Sequence, residues 1–260
     1  MLWRISIASL FLIFLFQQPV FGFSKARKEY TKKVEFKPGG ELSVKSDDGD
    51  IEIIGWDKNE VFVEAEITAH AFSRSQAEAK VERVRVRVQE SEAFIRVSSH
   101  GPSNTEVAYI IHVPNKISVT CRTDDGKIKI ENVDGAHDLR TEDGDIYLHQ
   151  IQGKIRARSD DGEVQFSGKL ENLDVSTEDG NIIGSFEPEG STFIKTDDGD
   201  VELEIVTDEE NEPAIYIRTD DGRVHSDFPV WTERSHMRQS SKKVKFDVRT
   251  NDGNVRLTRK

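Results

Sequence analysis

The sequence has a single cysteine and seven prolines among its 260 residues. One cysteine excludes an intrachain disulfide framework and a zinc site built from several cysteines. Basic residues are also the minority, with 36 against 48 acidic residues and a net charge of −12. Nucleic-acid-binding domains normally carry a basic surplus, so this balance argues against that class. A His-Glu-x-x-His zinc motif, a Gly-x-Ser-x-Gly nucleophile elbow and a phosphate-binding loop are absent from the sequence.

Long apolar runs are absent after the first 22 residues. Arg4 followed by the apolar run from Ile5 to Phe16 is typical of a secretory signal peptide over residues 1–22, with cleavage before Phe23. The alternative is that the run is kept as an N-terminal anchor. Both readings place the rest of the chain outside the cytoplasm, in the periplasm, at the cell surface or released. We expect no membrane span once the signal is removed.

One short motif occurs eight times: Ser or Thr, then Asp, Glu or Asn, then Asp, Gly, any residue, and Ile or Val. From the second copy on, the spacings between motif glycines are 18, 18, 18, 19, 23 and 31 residues. Such a fixed period indicates a repeat array rather than a conventional globular domain. The motif glycines are Gly49, Gly126, Gly144, Gly162, Gly180, Gly199, Gly222 and Gly253.

Apolar residues recur at fixed offsets from each motif glycine, five and seven before it and two and four after it. They alternate with polar residues, as in a β-strand with one buried face. The Asp-Gly pair between them is a turn signal, because Gly accepts positive φ and Asp bonds nearby backbone. Each copy therefore predicts a strand, a tight turn and a second strand.

A second corner follows the second strand of the regular copies, at Asn132–Gly135 and Gln150–Gly153. A coil of about 18 residues with two corners and no helix predicts an all-β fold, a single-stranded β-solenoid whose coils stack at roughly 4.8 Å. Cys121 and His137 fall at inward positions of this pattern, so we interpret both as core residues rather than as a nucleophile or a metal ligand.

The segment between the first two copies does not follow the repeat. Its patterns predict strands over 60–68, 84–88, 93–97 and 107–113 and a short helix over 73–82. We expect residues 23–116 to form a β-rich section that holds the first repeat and covers the open edge of the first coil. Residues 117–260 would form the solenoid, with an insertion at 229–243 between its last two coils. Arg256, Arg259 and Lys260 would then discourage pairing at the far end.

Several runs together resemble the bacterial "putative adhesin" family of exported β-strand-repeat proteins. The matching runs are Phe36-Lys37-Pro38-Gly39-Gly40, Ser46-Asp47-Asp48-Gly49-Asp50-Ile51, Gly55-Trp56-Asp57, Ile110-Ile111-His112-Val113-Pro114 and the later Thr-Asp-Asp-Gly copies. The resemblance implies a β-solenoid outside the cytoplasm and implies no catalytic residue.

The two positions before each motif glycine form an acidic ladder in which 15 of 16 residues are Asp or Glu. Stacked carboxylates are typical calcium ligands, so a calcium-stabilised rod is one alternative. The other reading is structural: Asp and the preceding Ser or Thr bond the turn backbone. Seven of the eight residues four places before the glycine are Lys or Arg. Such a basic ladder would offset the acidic one without metal, so we favour the structural reading.

A polysaccharide-active enzyme is a further alternative, since parallel β-helices can host acidic pairs for glycoside cleavage. Evenly repeated acids do not resemble such a single site, so we predict no catalytic residue and no cofactor. Phe193 and Tyr216 fall at outward positions of adjacent copies, and Trp231 lies in the insertion; these three are the candidate surface-binding residues. The alternative is that the insertion covers them. We predict a non-catalytic, adhesin-like binding or scaffolding protein of the cell envelope, with an envelope protein or polysaccharide as partner.

Overall fold

The computed structural model describes residues 23–231 and 240–260. The predicted leader, residues 1–22, and residues 232–239 of the predicted insertion lie outside the described residues. The fold is all-β, as predicted, with one short helix among the described residues. Its elements are β1 (Ser24–Glu35), β2 (Glu41–Lys45), β3 (Ile51–Trp56), β4 (Glu60–Ala71), α1 (Arg74–Val81), β5 (Arg85–Glu90), β6 (Phe94–His100), β7 (Thr105–Pro114), β8 (Ser118–Arg122), β9 (Ile128–Glu131), β10 (Asp134–Arg140), β11 (Ile146–Arg158), β12 (Val164–Ser176), β13 (Ile182–Pro188), β14 (Ser191–Lys195), β15 (Val201–Ile205), β16 (Ala214–Arg218), β17 (Val224–Ser226), β18 (Val230–Trp231), β19 (Lys245–Arg249) and β20 (Val255–Arg259).

Successive repeats stack as parallel strands in the register that the 18-residue period predicts. His137 on β10 pairs with Val119 on β8 and with Ile155 on β11, one period away in each direction. The strands before the Asp-Gly turns form one row, and the strands after them form a second row. The core lies between the rows, where the inward apolar residues are buried, including Cys121 (fully buried) and His137 (3% exposed).

The motif glycines are required for a different reason from the one predicted. Among the eight, all within the described residues, only Gly49 has φ in the left-handed region, at +128°. The others are needed because each sits against the backbone of a neighbouring repeat in the stack. A Cβ on Gly162 would lie 1.9 Å from the carbonyl oxygen of Gly144. Close stacking, rather than turn conformation, therefore excludes a side chain here.

Strands of the N-terminal section cover the open edge of the first repeat. Strands β6 and β7 pair in parallel with β2 and β3, on the edge opposite β8 and β9. Strand β4 then pairs antiparallel with β7, and β1 pairs antiparallel with β4. The predicted helix is α1, whose first turn is capped by the Ser73 hydroxyl. This helix is too short and too polar to cross a membrane, and no other helix occurs in the part of the chain described.

The last two repeats do not stack in chain order. Strands β19 and β20 of the Gly253 copy lie between β14 and β15 on one side and β16 and β17 on the other. The Gly222 copy is therefore the end of the stack, although it precedes Gly253 in sequence. The prediction that Arg256 and Arg259 shield the far edge is wrong, because their strand is internal. Of the predicted insertion, residues 230–231 form β18, which pairs with β16.

Candidate functional site

A ladder of buried hydroxyls joins the Asp-Gly turns of successive repeats. Thr141 is fully buried; its hydroxyl donates to the carbonyl of Gly126 (3.0 Å) and accepts from the N–H of Gly144 (3.1 Å). The backbone carbonyl of Asp124 accepts hydrogen bonds from the backbone N–H groups of Glu142 and Asp143, the two acidic residues of the next repeat. The turn is therefore held by hydroxyl and backbone groups, which leaves the carboxylates outside. Ser159, Thr177, Thr196 and Thr250 repeat the Thr141 pattern.

The acidic ladder is flanked by the basic ladder that its sequence predicts. Lys45, Arg122, Arg140 and Arg158 occupy neighbouring strands in register. Four ion pairs join the two ladders, at N···O distances of 2.9–3.9 Å: Lys45–Asp47, Arg140–Asp160, Lys195–Asp197 and Arg218–Asp220. Exposed pairs are weak singly, but together they offset repulsion between stacked acids.

Repulsion still acts at the start of the acidic ladder, where partial burial and the neighbouring Asp125, Asp47 and Asp124 raise the pKa of Asp48. Among the described residues, no three His, Cys, Asp or Glu side chains are grouped closely enough to hold a metal ion. The calcium alternative stays a prediction to be tested by metal addition.

Where the residue after the motif glycine is Asp or Asn, it has a role that the sequence pattern did not reveal, because the pattern allowed any residue at this position. The Asp145 carboxylate accepts the N–H of Glu163 (3.1 Å), and Asp200 accepts the N–H of Asn254 (2.7 Å). A side chain of one repeat thus bonds the backbone of the next. The sequence did contain a signal for this role, because the residue after the motif glycine is Asp or Asn in five of the eight copies.

The three candidate aromatic residues lie in one outward row on four neighbouring strands, but not as expected. Phe193 and Tyr216 were predicted to be adjacent, which is wrong: Asp247 of the inserted β19 pairs with both. Tyr216 pairs in turn with Trp231. Tyr216 is only 9% exposed, and Trp231 packs against it. Phe193 and Trp231 therefore stand at the two ends of the row, each partly open to solvent.

An arginine–aspartate pair fills the gap between these aromatic residues. Arg249 donates two hydrogen bonds to Asp247, of 2.8 and 3.0 Å; the Asp247 side chain is buried and the Arg249 side chain is half-buried. The guanidinium also lies 5.5 Å from the centre of the Phe193 ring. The hydrogen bonds to Asp247 raise the pKa of Arg249, so the guanidinium stays charged. We call Phe193, Asp247, Arg249, Tyr216 and Trp231 the aromatic–arginine surface.

Sequence reasoning missed Asp247 and Arg249 because it stacked the repeats in chain order. Nothing in the local motif signals that the last repeat is inserted. The spacing of 31 residues between Gly222 and Gly253 was the one available hint, since a longer connection can pass over a neighbouring strand.

A hollow of about 510 Å³ lies on the second row, formed by the strands that follow the Asp-Gly turns. It is lined by Tyr147, Gln165, Ser185, Glu204 and neighbouring residues. Glu204 accepts hydrogen bonds from Ser185 (2.6 Å) and Lys260 (2.9 Å). These bonds lower its pKa, so the carboxylate is ionised at neutral pH. Glycoside cleavage needs a carboxylic acid that can donate a proton, and Glu204 is poorly suited to that role.

Solved structures match the chain over most of its length, at low identity and low TM-score. They include an adhesin, described as putative, from Bacteroides fragilis (10% identity, 88% of this chain and 97% of that chain, TM-score 0.49). Another is a "putative cell adhesion protein" from Clostridium sporogenes (13% identity, 90% of this chain and 100% of that chain, TM-score 0.35). A third is a "putative lipid binding protein" from Parabacteroides distasonis (10% identity, 88% of this chain and 96% of that chain, TM-score 0.32). At these values the likenesses assign no function.

No functionally curated protein matches the chain. A family match extends from residue 28 to residue 258, which covers all eight repeats and all but the first five residues of the N-terminal section. The kinship predicted from the sequence motifs is thereby confirmed, and the chain belongs to the Toastrack DUF4097 family.

Proposed function

We propose that the chain is an exported, non-catalytic, adhesin-like binding protein of the cell envelope, built as a single-stranded β-solenoid. The observation that carries this proposal is the aromatic–arginine surface. It combines ring faces with a charged, hydrogen-bonding pair on a rigid parallel sheet. Sites of this kind bind through a few oriented polar groups among apolar contacts.

The partner that fits this surface best is an envelope polysaccharide. Sugar rings have apolar faces that can lie on Phe193 and Trp231, and hydroxyls that planar charged groups bind in pairs. Three strand steps separate the two aromatic residues, about 14 Å at the usual strand spacing. That length suits a polymer better than a single small molecule.

The test is binding of the chain to purified bacterial envelope polysaccharides, measured by calorimetry and by retention on immobilised polymer. Phe193→Ala and Trp231→Ala should each weaken binding about tenfold, as expected for residues that carry much of an interface. Tyr147→Ala removes a partly exposed aromatic ring from the opposite row and should leave binding unchanged.

Two results would contradict the proposal. One is that no polymer binds the unmodified chain. The other is that Phe193→Ala, Trp231→Ala and Tyr147→Ala bind equally well. The length of the polymer after incubation should stay constant; shortening would instead support the polysaccharide-active enzyme.

A further inference from the structure

Two phenylalanines are exposed together at the N-terminal end of the fold. Phe23 is 63% exposed and Phe72 is 75% exposed, the highest values among the large apolar residues described. Their ring centres are 5.2 Å apart. They flank the paired residues Ser24 and Ala71, where β1 begins and β4 ends. The two rings therefore form one apolar protrusion rather than two unrelated surface residues.

The protrusion borders a hollow of about 390 Å³ with an apolar floor and a basic rim. Ala71 and Ala79 contribute to the lining, and Lys80 and Arg83 stand beside them. Lys80 is held in place by the carbonyls of His70 and Ser103, which lie 3.2 and 2.9 Å from its Nζ. Such contiguous apolar surface with a polar rim is unusual on a soluble protein and indicates an interaction site.

Unpaired basic side chains lie beside the two rings, although the chain as a whole has a net charge of −12. Strand β1 has five lysines and arginines, of which four are ion-paired: Arg27 with Glu66, Lys28 with Glu82, Lys32 with Glu90 and Lys33 with Glu60. The nearest glutamates of α1 and its C-cap are neutralised, because Arg74 pairs with Glu78 and Lys28 pairs with Glu82. Within the described residues, neither Lys25 nor Arg83 makes an ion pair, so both charges are available to a partner.

The core does not require the two phenylalanines. Helix α1 covers β1 and β4 with Ala77 and Val81, which are buried, while Phe72 points away from them into solvent. Burying either ring against a partner would recover free energy that folding leaves unused.

We infer that this face, formed by Phe23, Phe72, Lys25, Lys80 and Arg83, docks on the surface of an anionic lipid bilayer. The rings would enter the boundary between headgroups and acyl chains, and the basic side chains would meet lipid phosphates. Residues 1–22, which lead directly into Phe23, carry the apolar run from Ile5 to Phe16. A run of this type is delivered to a membrane, so this is the face of the fold that reaches a bilayer first. A second copy of the chain fits less well, since it would oppose one basic rim to another.

The experiment is flotation of residues 23–260, which contain every described strand and the whole described core, with lipid vesicles. Vesicles of phosphatidylcholine with phosphatidylglycerol are compared with phosphatidylcholine alone. We expect the chain to float with the anionic vesicles, and Phe23→Ser with Phe72→Ser to weaken partitioning about tenfold or more. The control is Phe94→Ser, which removes a 41% exposed ring from the end of β6 that pairs with Glu41.

A second variant tests the charge without altering the rings. Lys25→Gln with Arg83→Gln should weaken binding to anionic vesicles several-fold and reduce its dependence on salt. Thermal unfolding checks that each variant is folded. The inference is overturned if the unmodified chain stays unbound to anionic vesicles, or if both variants float like the unmodified chain. Concentration-dependent self-association that the Phe23→Ser, Phe72→Ser variant abolishes would instead assign the face to a second copy.

Discussion

His137 is a titratable side chain at a buried core position that is apolar in most other repeats. It lies seven places before its motif glycine, where other repeats have Leu42 or Leu173, and it is 3% exposed. Neither ring nitrogen has a hydrogen-bond partner of good geometry among the described residues. Burial lowers the pKa of His137 to about 4, because it disfavours the charged ring. The Val133 carbonyl opposes this shift only weakly.

This depressed pKa makes stability depend on pH. Below an unfolded pKa of about 6.5, the unfolded chain binds a proton that the folded chain does not. The free energy of unfolding should therefore fall as pH drops from about 6.5 towards 4, by up to roughly 3 kcal/mol from this one group.

The prediction is checked by denaturant unfolding of the chain and of His137→Leu at pH 7 and pH 4.5. The variant should lose less stability between the two values, whereas His225→Leu, which changes an exposed histidine, should behave like the unmodified chain. An equal pH effect in His137→Leu and the unmodified chain would contradict the assignment.

At the scale of the element, each Asp-Gly turn is stabilised by hydrogen bonds and packing against the neighbouring repeat as well as by its own residues. The hydroxyl of each turn bonds the backbone of a neighbouring strand or repeat, and the glycine leaves room for that neighbour's carbonyl. This explains why Ser or Thr and Gly recur together, while the position two before the glycine varies between Asp, Glu and Asn.

The steric role of the glycine can be separated from backbone conformation. In Gly162→Ala the new Cβ would lie 1.9 Å from the Gly144 carbonyl, so the stack must open, and we expect a loss of more than about 3 kcal/mol. Gly39→Ala has open space but φ of +93°, and should cost only about 1 kcal/mol. Chemical denaturation measures both. A loss for Gly162→Ala no larger than that for Gly39→Ala would contradict the steric role of the motif glycine.

Strand patterns were predictable wherever a strand has one apolar face. The other strands of the N-terminal section were found this way, because apolar residues alternate with polar ones, and the helix was found from its content of Ala, Glu, Gln and Lys. Strand β1 was not, since its inward positions include Lys28 and Lys32, whose long side chains cover the section without being fully buried. Its pairing with β4 is a long-range contact that no local pattern reports.

For the whole molecule, the two proposed surfaces lie at opposite ends of one stack. From β6 to β18 the first row contains nine strand steps, or about 40 Å at the usual spacing. A chain docked on a membrane through Phe23 and Phe72 would hold the aromatic–arginine surface away from the bilayer. The sequence predicted the stack but not this arrangement, because the order of the repeats at its end depends on a connection that carries no motif.

The inserted last repeat makes a prediction about local stability. In a stack that follows chain order, the C-terminal strands would be the edge and would open first. Here β19 is bonded by β14 and β16, and β20 by β15 and β17, whereas β17 pairs with β20 alone among the described strands. Amides of Phe246–Val248 and of Val255–Leu257 should therefore exchange hydrogen more slowly than those of Val224–Ser226, and at rates close to those of the internal strand β15. Hydrogen exchange followed by mass spectrometry measures all of these segments in the unmodified chain. Fastest exchange in β19 and β20 would mean that the last repeat is the edge after all, and it would separate Arg249 and Asp247 from Phe193.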